Sequence, residues 1–182
     1  MLVIIFLTQI LSQSALAKGL VQSVPEALTK APQDQEICFS PDEPCDEKLV
    51  NFIDSAQKSL EIAIYDINLD QLVHHILLQN KKIKVRIVVD ERQAKGKHSS
   101  VPLLVKAGVN LRYGRQRGIM HDKFTIVDGK IIETGSFNYT HHAATANQEN
   151  QIYSNENSVV SRFSERFDKI WSSAKIPGAK KH

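Results

Sequence analysis

The chain has 182 residues, a formal charge of +3, 42% hydrophobic and 24% charged residues. That suits one globular domain and excludes a disordered, collagen-like or linker-dominated chain. With 8 Gly, 6 Pro and 2 Cys, stability is expected from a packed core rather than from a dense disulfide framework or a structural metal.

Residues 1–12 read MLVIIFLTQILS, carry no charged side chain, and lead into the small-x-small pattern Ala15-Leu16-Ala17. The run is short for a membrane span of about 20 residues, so residues 1–17 read as a secretory signal, with a retained N-terminal anchor as the alternative. The expected location is outside the cytoplasm: periplasmic or secreted, or held at a membrane. Residues 18–36 are polar, contain Pro25 and Pro32, and read as a tether. The domain is expected over 37–175, followed by a basic tail over 176–182. Cys38 and Cys45 flank a turn-rich stretch with Pro41 and Pro44. In an oxidising compartment they are expected to form a disulfide; two buried free thiols are the alternative.

Past Asp46, placed to cap a helix, Leu49, Phe52, Ile53 and Ala56 recur at helical spacing, and residues 60–65 read as an apolar strand. Leu69, Leu72, Val73, Ile76 and Leu77 make a second amphipathic helix. KVRIVV at 84–89 is a β-branched strand ending at Asp90. This alternation predicts parallel β-α-β packing. A third helix over 101–107 stops at Gly108, ahead of a short strand over 110–113. From residue 120 a hairpin is expected: 121–127, a two-residue Asp128-Gly129 turn, then 130–134. Strand alternation places His121, Lys123 and Thr125 on one face and Asp122, Phe124 and Ile126 on the other. Gly135-Ser136-Phe137-Asn138 then brings a hydroxyl and an amide back to the end carrying the histidine.

Those groups suit a phosphate. A neutral imidazole is a nucleophile and a charged one a general acid, while lysine, serine and asparagine hold phosphate oxygens without transferring protons. The sequence has no H-E-x-x-H, paired-cysteine or clustered-carboxylate motif, and neither a metal nor another cofactor is expected. His141-His142 read as capping or solvated residues, and in His74-His75, on an amphipathic helix, one histidine is expected to edge the core and the other to face water. Phe137 and Tyr139 are either core or platforms for stacking a base.

The string His121-x-Lys123-x4-Asp128-x6-Gly135-Ser136-x-Asn138 resembles the phospholipase D superfamily, and most of all its small single-motif endonucleases, with Glu149 in their acidic segment. The resemblance extends over about residues 37–171. It implies a mixed β-sheet flanked by helices, a single-domain α/β fold, and an active site made from two motif copies. One copy per chain then implies a homodimer. By the resemblance, His121 of one subunit attacks phosphorus and the second His121 protonates the leaving oxygen. Lys123, Ser136 and Asn138 bind the phosphate, and Glu149 orients the histidine. Asp128 belongs to the motif, but the alternation puts it at the turn, away from His121. A structural role is expected for it.

Charge distribution bears on the substrate. Residues 26–70 hold 11 acids against 3 bases, and residues 81–123 hold 12 bases against 3 acids. The basic half includes Lys81, Lys82, Lys84, Arg92, Lys95 and Lys97, and continues through Arg112, Arg115 and Arg117 to the catalytic string. Lys95, Lys97 and His98 in one loop, and Arg115 and Arg117 in another, are the candidate phosphate-backbone contacts. The expected activity is a metal-independent endonuclease acting on DNA, single-stranded or duplex, or on RNA, with little sequence specificity. Hydrolysis of an anionic phospholipid such as cardiolipin is a second reading, with membrane association through the N-terminal segment. An exported DNA-binding protein without catalysis is a third.

Overall fold

The computed structural model describes residues 35–114 and 118–178. The proposed signal or anchor, most of the tether, Arg115, Arg117 and the last residues of the basic tail lie outside that range. The chain runs β1 (Glu36–Ser40), α1 (Cys45–Asp54), β2 (Ser59–Ile64), α2 (Asp70–Asn80), β3 (Lys84–Asp90), α3 (Glu91–Ala94) and α4 (Val101–Lys106). It continues through β4 (Asn110–Gly114), β5 (Phe124–Val127), β6 (Ile131–Gly135), α5 (His141–Thr145), β7 (Glu149–Ser154) and α6 (Asn157–Ser173). One seven-stranded sheet has the order β1-β7-β6-β5-β2-β3-β4. Strands β2, β3 and β4 are parallel. The join at β2–β5 and the rest of the sheet are antiparallel. Among the described residues no helix is long and apolar enough to cross a membrane.

The mixed sheet is buried on both faces, and period-2 alternation sends side chains to two cores. Leu60, Ile62 and Ile64 of β2 and Val85, Ile87 and Val89 of β3 pack in the larger core with α1 and α2. Ala63, Val88, Phe124, Ile126 and Ile132 point the other way, into a core closed by Val160 and Phe167 of α6. Cys38 and Cys45 are joined, with their Cα atoms 5.7 Å apart, so the first strand is stapled to the first helix. Gly108 has φ +79, the left-handed stop expected after the third helix.

Three local expectations change. Pro44 occupies the cap position of α1, which starts at Cys45, so Asp46 sits in the first turn instead of capping it. Residues 121–123 precede β5 rather than belonging to it. The hairpin turn has positive φ at Asp128 (55) and Gly129 (66), but the ladder closes at Val127–Ile131. Asp128, Gly129 and Lys130 therefore form a three-residue connection. The second turn residue is glycine, which takes φ > 0 without strain; Asp tolerates it as a short polar side chain.

Candidate active site

The hairpin, the loop after β6 and the start of β7 meet at one end of the sheet. Although residues 121–123 are not in the ladder, the predicted alternation holds. Lys123 is buried and its Nζ lies 3.3 Å from His121 Nε2 and 3.2 Å from the His121 carbonyl oxygen. Asp122 points away, to Arg166 of α6 at 2.7 Å. An ammonium only donates, so a hydrogen bond to Nε2 requires an unprotonated Nε2, with the ring proton on Nδ1. Burial pushes the Lys123 ammonium below its ordinary value, while Glu149 and Asp122 pull it back up. A phosphate entering here would supply the counter-charge that burial has made valuable.

Two devices hold His121. Tyr65, just beyond β2, meets its ring edge-on with centroids 4.7 Å apart, and the same phenol ring lies 5.5 Å from Lys123 Nζ. Asp90, fully buried at the end of β3, caps α3 by accepting from the amides of Arg92 and Gln93. Its other oxygen accepts from the Met120 amide at 2.9 Å, one residue before the histidine. A Cβ on Gly114 would lie 2.8 Å from Met120 Cγ and 2.5 Å from Val88 Cγ1, so the strand beside Met120 has no room for a side chain. None of Tyr65, Asp90 or Gln93 was singled out from sequence as a site residue. For Tyr65 and Asp90, positions at or just past the carboxyl ends of β2 and β3 were the available signal.

The second wall comes from the loop after β6. Gly135 is required because a Cβ there would stand 2.0 Å from the Asn150 carbonyl oxygen. That close approach lets the Ser136 amide donate to Asn150 O at 3.1 Å. Ser136 Oγ donates to Glu149 Oε2 and accepts from the Asn150 amide. The other Glu149 oxygen accepts from Asn147 Nδ2 at 3.0 Å. Within the single chain Glu149 is thus held by Ser136 and Asn147, and His121 is hydrogen-bonded to Lys123. Asn138 Oδ1 is buried with no hydrogen-bond partner. Turning that amide over would present its NH2 group instead, the form a phosphate oxygen accepts from.

Asp128 lies at the opposite end of the hairpin. Its carboxylate accepts from the amides of Gln57 (3.1 Å), Lys58 (2.7 Å) and Ser59 (2.9 Å), pinning the loop that leads into β2. Partial burial works against its charge, but those three amides and Lys130 outweigh it and hold the carboxyl below its ordinary value.

The remaining candidates divide. Lys97 and His98 line an open cleft of about 570 Å³ beside the Tyr65 shelf, together with Asp66, Gln93 and Thr140. Lys95 turns to Glu91, 2.8 Å away. Arg112, counted among the basic residues, is tied to α6: it stacks on Trp171 at 4.2 Å and donates to the Trp171 carbonyl. Phe137 and Tyr139 are buried in the larger core, which removes base stacking as their role. His75 pairs with Asp54 at 2.7 Å while His74 is exposed. His141 and His142 are exposed at the mouth of the cleft. Among the described residues no group of His, Cys, Asp and Glu is placed to hold a metal.

Residues 49–171 match the family described as "Cardiolipin synthase, PLD-like domain". The chain is 34% identical to a mitochondrial cardiolipin hydrolase of Chlamydomonas reinhardtii over 125 residues, 68% of this chain and 56% of that protein. It is 32% identical to a phospholipase D of Rickettsia conorii over 150 residues, 81% and 74% of the two chains. It thus spans a little over half the length of the first of these. Its fold matches the phospholipase D family member Nuc of Salmonella typhimurium with a TM-score of 0.73 at 29% identity, covering 78% of this chain and 96% of that one. Because the matched span includes His121, Lys123, the Ser136–Asn138 loop and Glu149 around one shared end of the sheet, the chain belongs to the phospholipase D superfamily, as a member with a single His-Lys-Asp motif.

Proposed function

We propose that the protein is a phosphodiesterase that hydrolyses nucleic acid, DNA first, as a metal-independent endonuclease with little sequence preference. The carrying observation is the His121–Lys123 pair, connected through Tyr65 and Gln93 to a cleft whose lining residues are all polar apart from one glycine and include Lys97 and His98 as well as Asp66 and Asp70. A backbone of phosphates and sugars fits such a surface, and backbone contacts carry no base code. In this reading His121 Nε2 attacks phosphorus, the P–O bond to the leaving group breaks, and a second imidazole gives that oxygen its proton. Water then attacks the phosphohistidine and returns His121 to its free state. Lys123, Ser136 and Asn138 take the non-bridging oxygens, and Glu149 orients the machinery through its hydrogen bonds. One motif supplies one imidazole, so the partner subunit's His121 is the proton donor, and the working unit is a homodimer. Residues 1–17 would carry the chain out of the cytoplasm or hold it at a membrane.

The names of relatives favour a second reading, hydrolysis of cardiolipin. One panel separates the two: single-stranded DNA, duplex DNA, RNA and cardiolipin vesicles, each with excess EDTA, with wild type and His121→Ala. Cleavage of DNA that persists in EDTA and disappears in His121→Ala is the expected result. Phosphatidic acid release without any nucleic-acid cleavage would overturn the first reading in favour of the second.

A further inference from the structure

The cleft reached through Tyr65 and Gln93 gathers six titratable groups from three stretches of chain. Asp66 and Asp70 come from the exit of β2 and the start of α2, Lys97 and His98 from the loop between α3 and α4, and His141 and His142 from the start of α5. Backbone hydrogen bonds fasten these stretches together. The Ser100 amide donates to the Ile67 carbonyl at 3.0 Å, and the amides of Asn68 and Leu69 donate to the Tyr139 carbonyl at 2.8 and 2.9 Å. The His141 amide donates to Asn68 Oδ1 at 3.3 Å. The six groups therefore face one space because the fold ties their backbones together. None of His121, Lys123, Ser136, Asn138 or Glu149 lines that space, so it is separate from the reacting centre.

The charge of this cleft changes sign with pH. With neutral imidazoles, Lys97 contributes +1 and the two carboxylates −2, so the sum is −1 and a phosphate backbone is held by hydrogen bonds against a net repulsion. Histidine is the side chain whose charge turns over between about pH 5 and 8. With His98, His141 and His142 protonated the sum becomes +2. Asp70 lies 3.9 Å from His141 Nε2, Lys97 adjoins His98, and Lys95 of the same loop is paired with Glu91 outside the cleft lining. Burial raises the Asp66 carboxyl above its ordinary value, with the Ile67 amide pulling it back. Acid therefore neutralises this group sooner than an exposed carboxylate, which carries the sum further toward positive. We propose that the cleft is an acid-gated docking site for a nucleic-acid strand, its three histidines holding backbone phosphates remote from the cut below about pH 6 and releasing them as the pH rises. The site rests on the nuclease reading for the identity of the strand and adds to it the condition under which the strand is held.

Fluorescence anisotropy of a short labelled oligothymidylate reads binding to the His121→Ala protein, in which the proposed nucleophile is gone and the cleft lining is intact. At about 0.1 M salt, affinity should be about tenfold or more higher at pH 5.5 than at pH 8, and the slope of log K against log salt should steepen by about two, the effect of three added contacts to a single strand. Adding His98→Gln, His141→Gln and His142→Gln together should abolish both changes. Adding His74→Gln, exposed and outside the cleft lining, should keep them. A triple variant that responds to pH as its parent does overturns the proposal. The converse pair, His141→Lys with His142→Lys, fixes the charge and should close most of the gap at pH 8; binding there no tighter than the parent's overturns it independently of whether the triple variant folds. Acid-dependent binding of cardiolipin vesicles with none of the oligonucleotide overturns the strand as the occupant. Failure of the wild type to cut any nucleic acid is a failure of the nuclease reading alone, since the cleft is scored by binding to a protein that does not cut.

Discussion

Asp128 is the motif residue whose role the geometry separates most cleanly from chemistry, and three substitutions dissect it. Asp128→Gly keeps the positive φ of 55 accessible but removes the acceptor for the amides of Gln57, Lys58 and Ser59. Hydrogen bonds to a charged group contribute roughly 1.5–3 kcal/mol each when buried. Two of these amides are solvent-accessible and recover part of that from water, which brings the expected loss to about 3 kcal/mol. Asp128→Ala adds the left-handed penalty of about 1–2 kcal/mol for a residue with a Cβ. Asp128→Asn keeps one acceptor and the turn preference, so roughly half the Gly loss is expected. With about 3 °C per kcal/mol for a domain of this size, the melting temperatures order as wild type, Asn, Gly, Ala, separated by several degrees. Since Asp128 carries a depressed carboxyl, its contribution is present above the unfolded-state pKa and is lost as pH falls through the folded one. The gap between wild type and Asn should therefore close in acid. Thermal melts at several pH values, with turnover measured per folded molecule well below each midpoint, complete the test. A variant that melts like wild type yet has lost turnover would refute the structural assignment.

Other outcomes follow from single contacts. Glu133 is fully enclosed in the sheet and accepts from the Tyr139 hydroxyl at 3.1 Å, and burial raises its carboxyl from 4.5 to about 8. The native state keeps a proton the unfolded chain gives up, so stability is full below pH 4.5 and falls as pH rises through about 8, by roughly 1.4 kcal/mol per pH unit at the steepest. Glu133→Gln should flatten that slope in urea titrations at pH 5 and pH 8.5, and a slope equal to wild type would contradict the assignment. Gly135→Ala must move the Asn150 carbonyl, so it should cut activity at least tenfold through KM for phosphate-bearing substrates; unchanged kinetics would show that the loop accommodates a methyl group. Lys123, with its ammonium shifted downward, should give activity an alkaline limb below the range of an ordinary lysine. Lys123→Arg should move that limb upward, and a limb that stays in place belongs to another group.

The parallel half of the sheet was legible because its strands are β-branched runs between helices of clear period, and the alternation around His121, Lys123 and Phe124 survived even where the ladder did not reach. Other elements were opaque for physical reasons. Strand β7 reads ENQIYS; its place between β1 and β6 is set by ladder hydrogen bonds and by burial of Gln151 and Tyr153, not by a hydrophobic pattern. Helix α6 did carry a signal in Val160, Phe163, Phe167 and Ile170, diluted by polar neighbours until the packed face is seen. A charge count treats every arginine as free, but Arg86 lies between Glu61, Asp168 and the rings of Phe167 and Trp171. Tyr65 and Asp90 gain their meaning from contacts with residues about 30 to 56 positions away, which no local pattern records.

The bond between Cys38 and Cys45 also sets how the domain bears load. Tension applied along the chain from before Gln35 enters at β1, and the covalent bridge hands it to α1 after only Glu36 and Ile37 have been engaged. Phe39 and Ser40, which pair with Asn150 and Glu149, lie on the slack side of that bridge. In the oxidised protein a pull from the N-terminal side is borne by the helix and the core beneath it, and the strand carrying Glu149 keeps its neighbour. In the reduced protein the same pull can unzip β1 along its whole length.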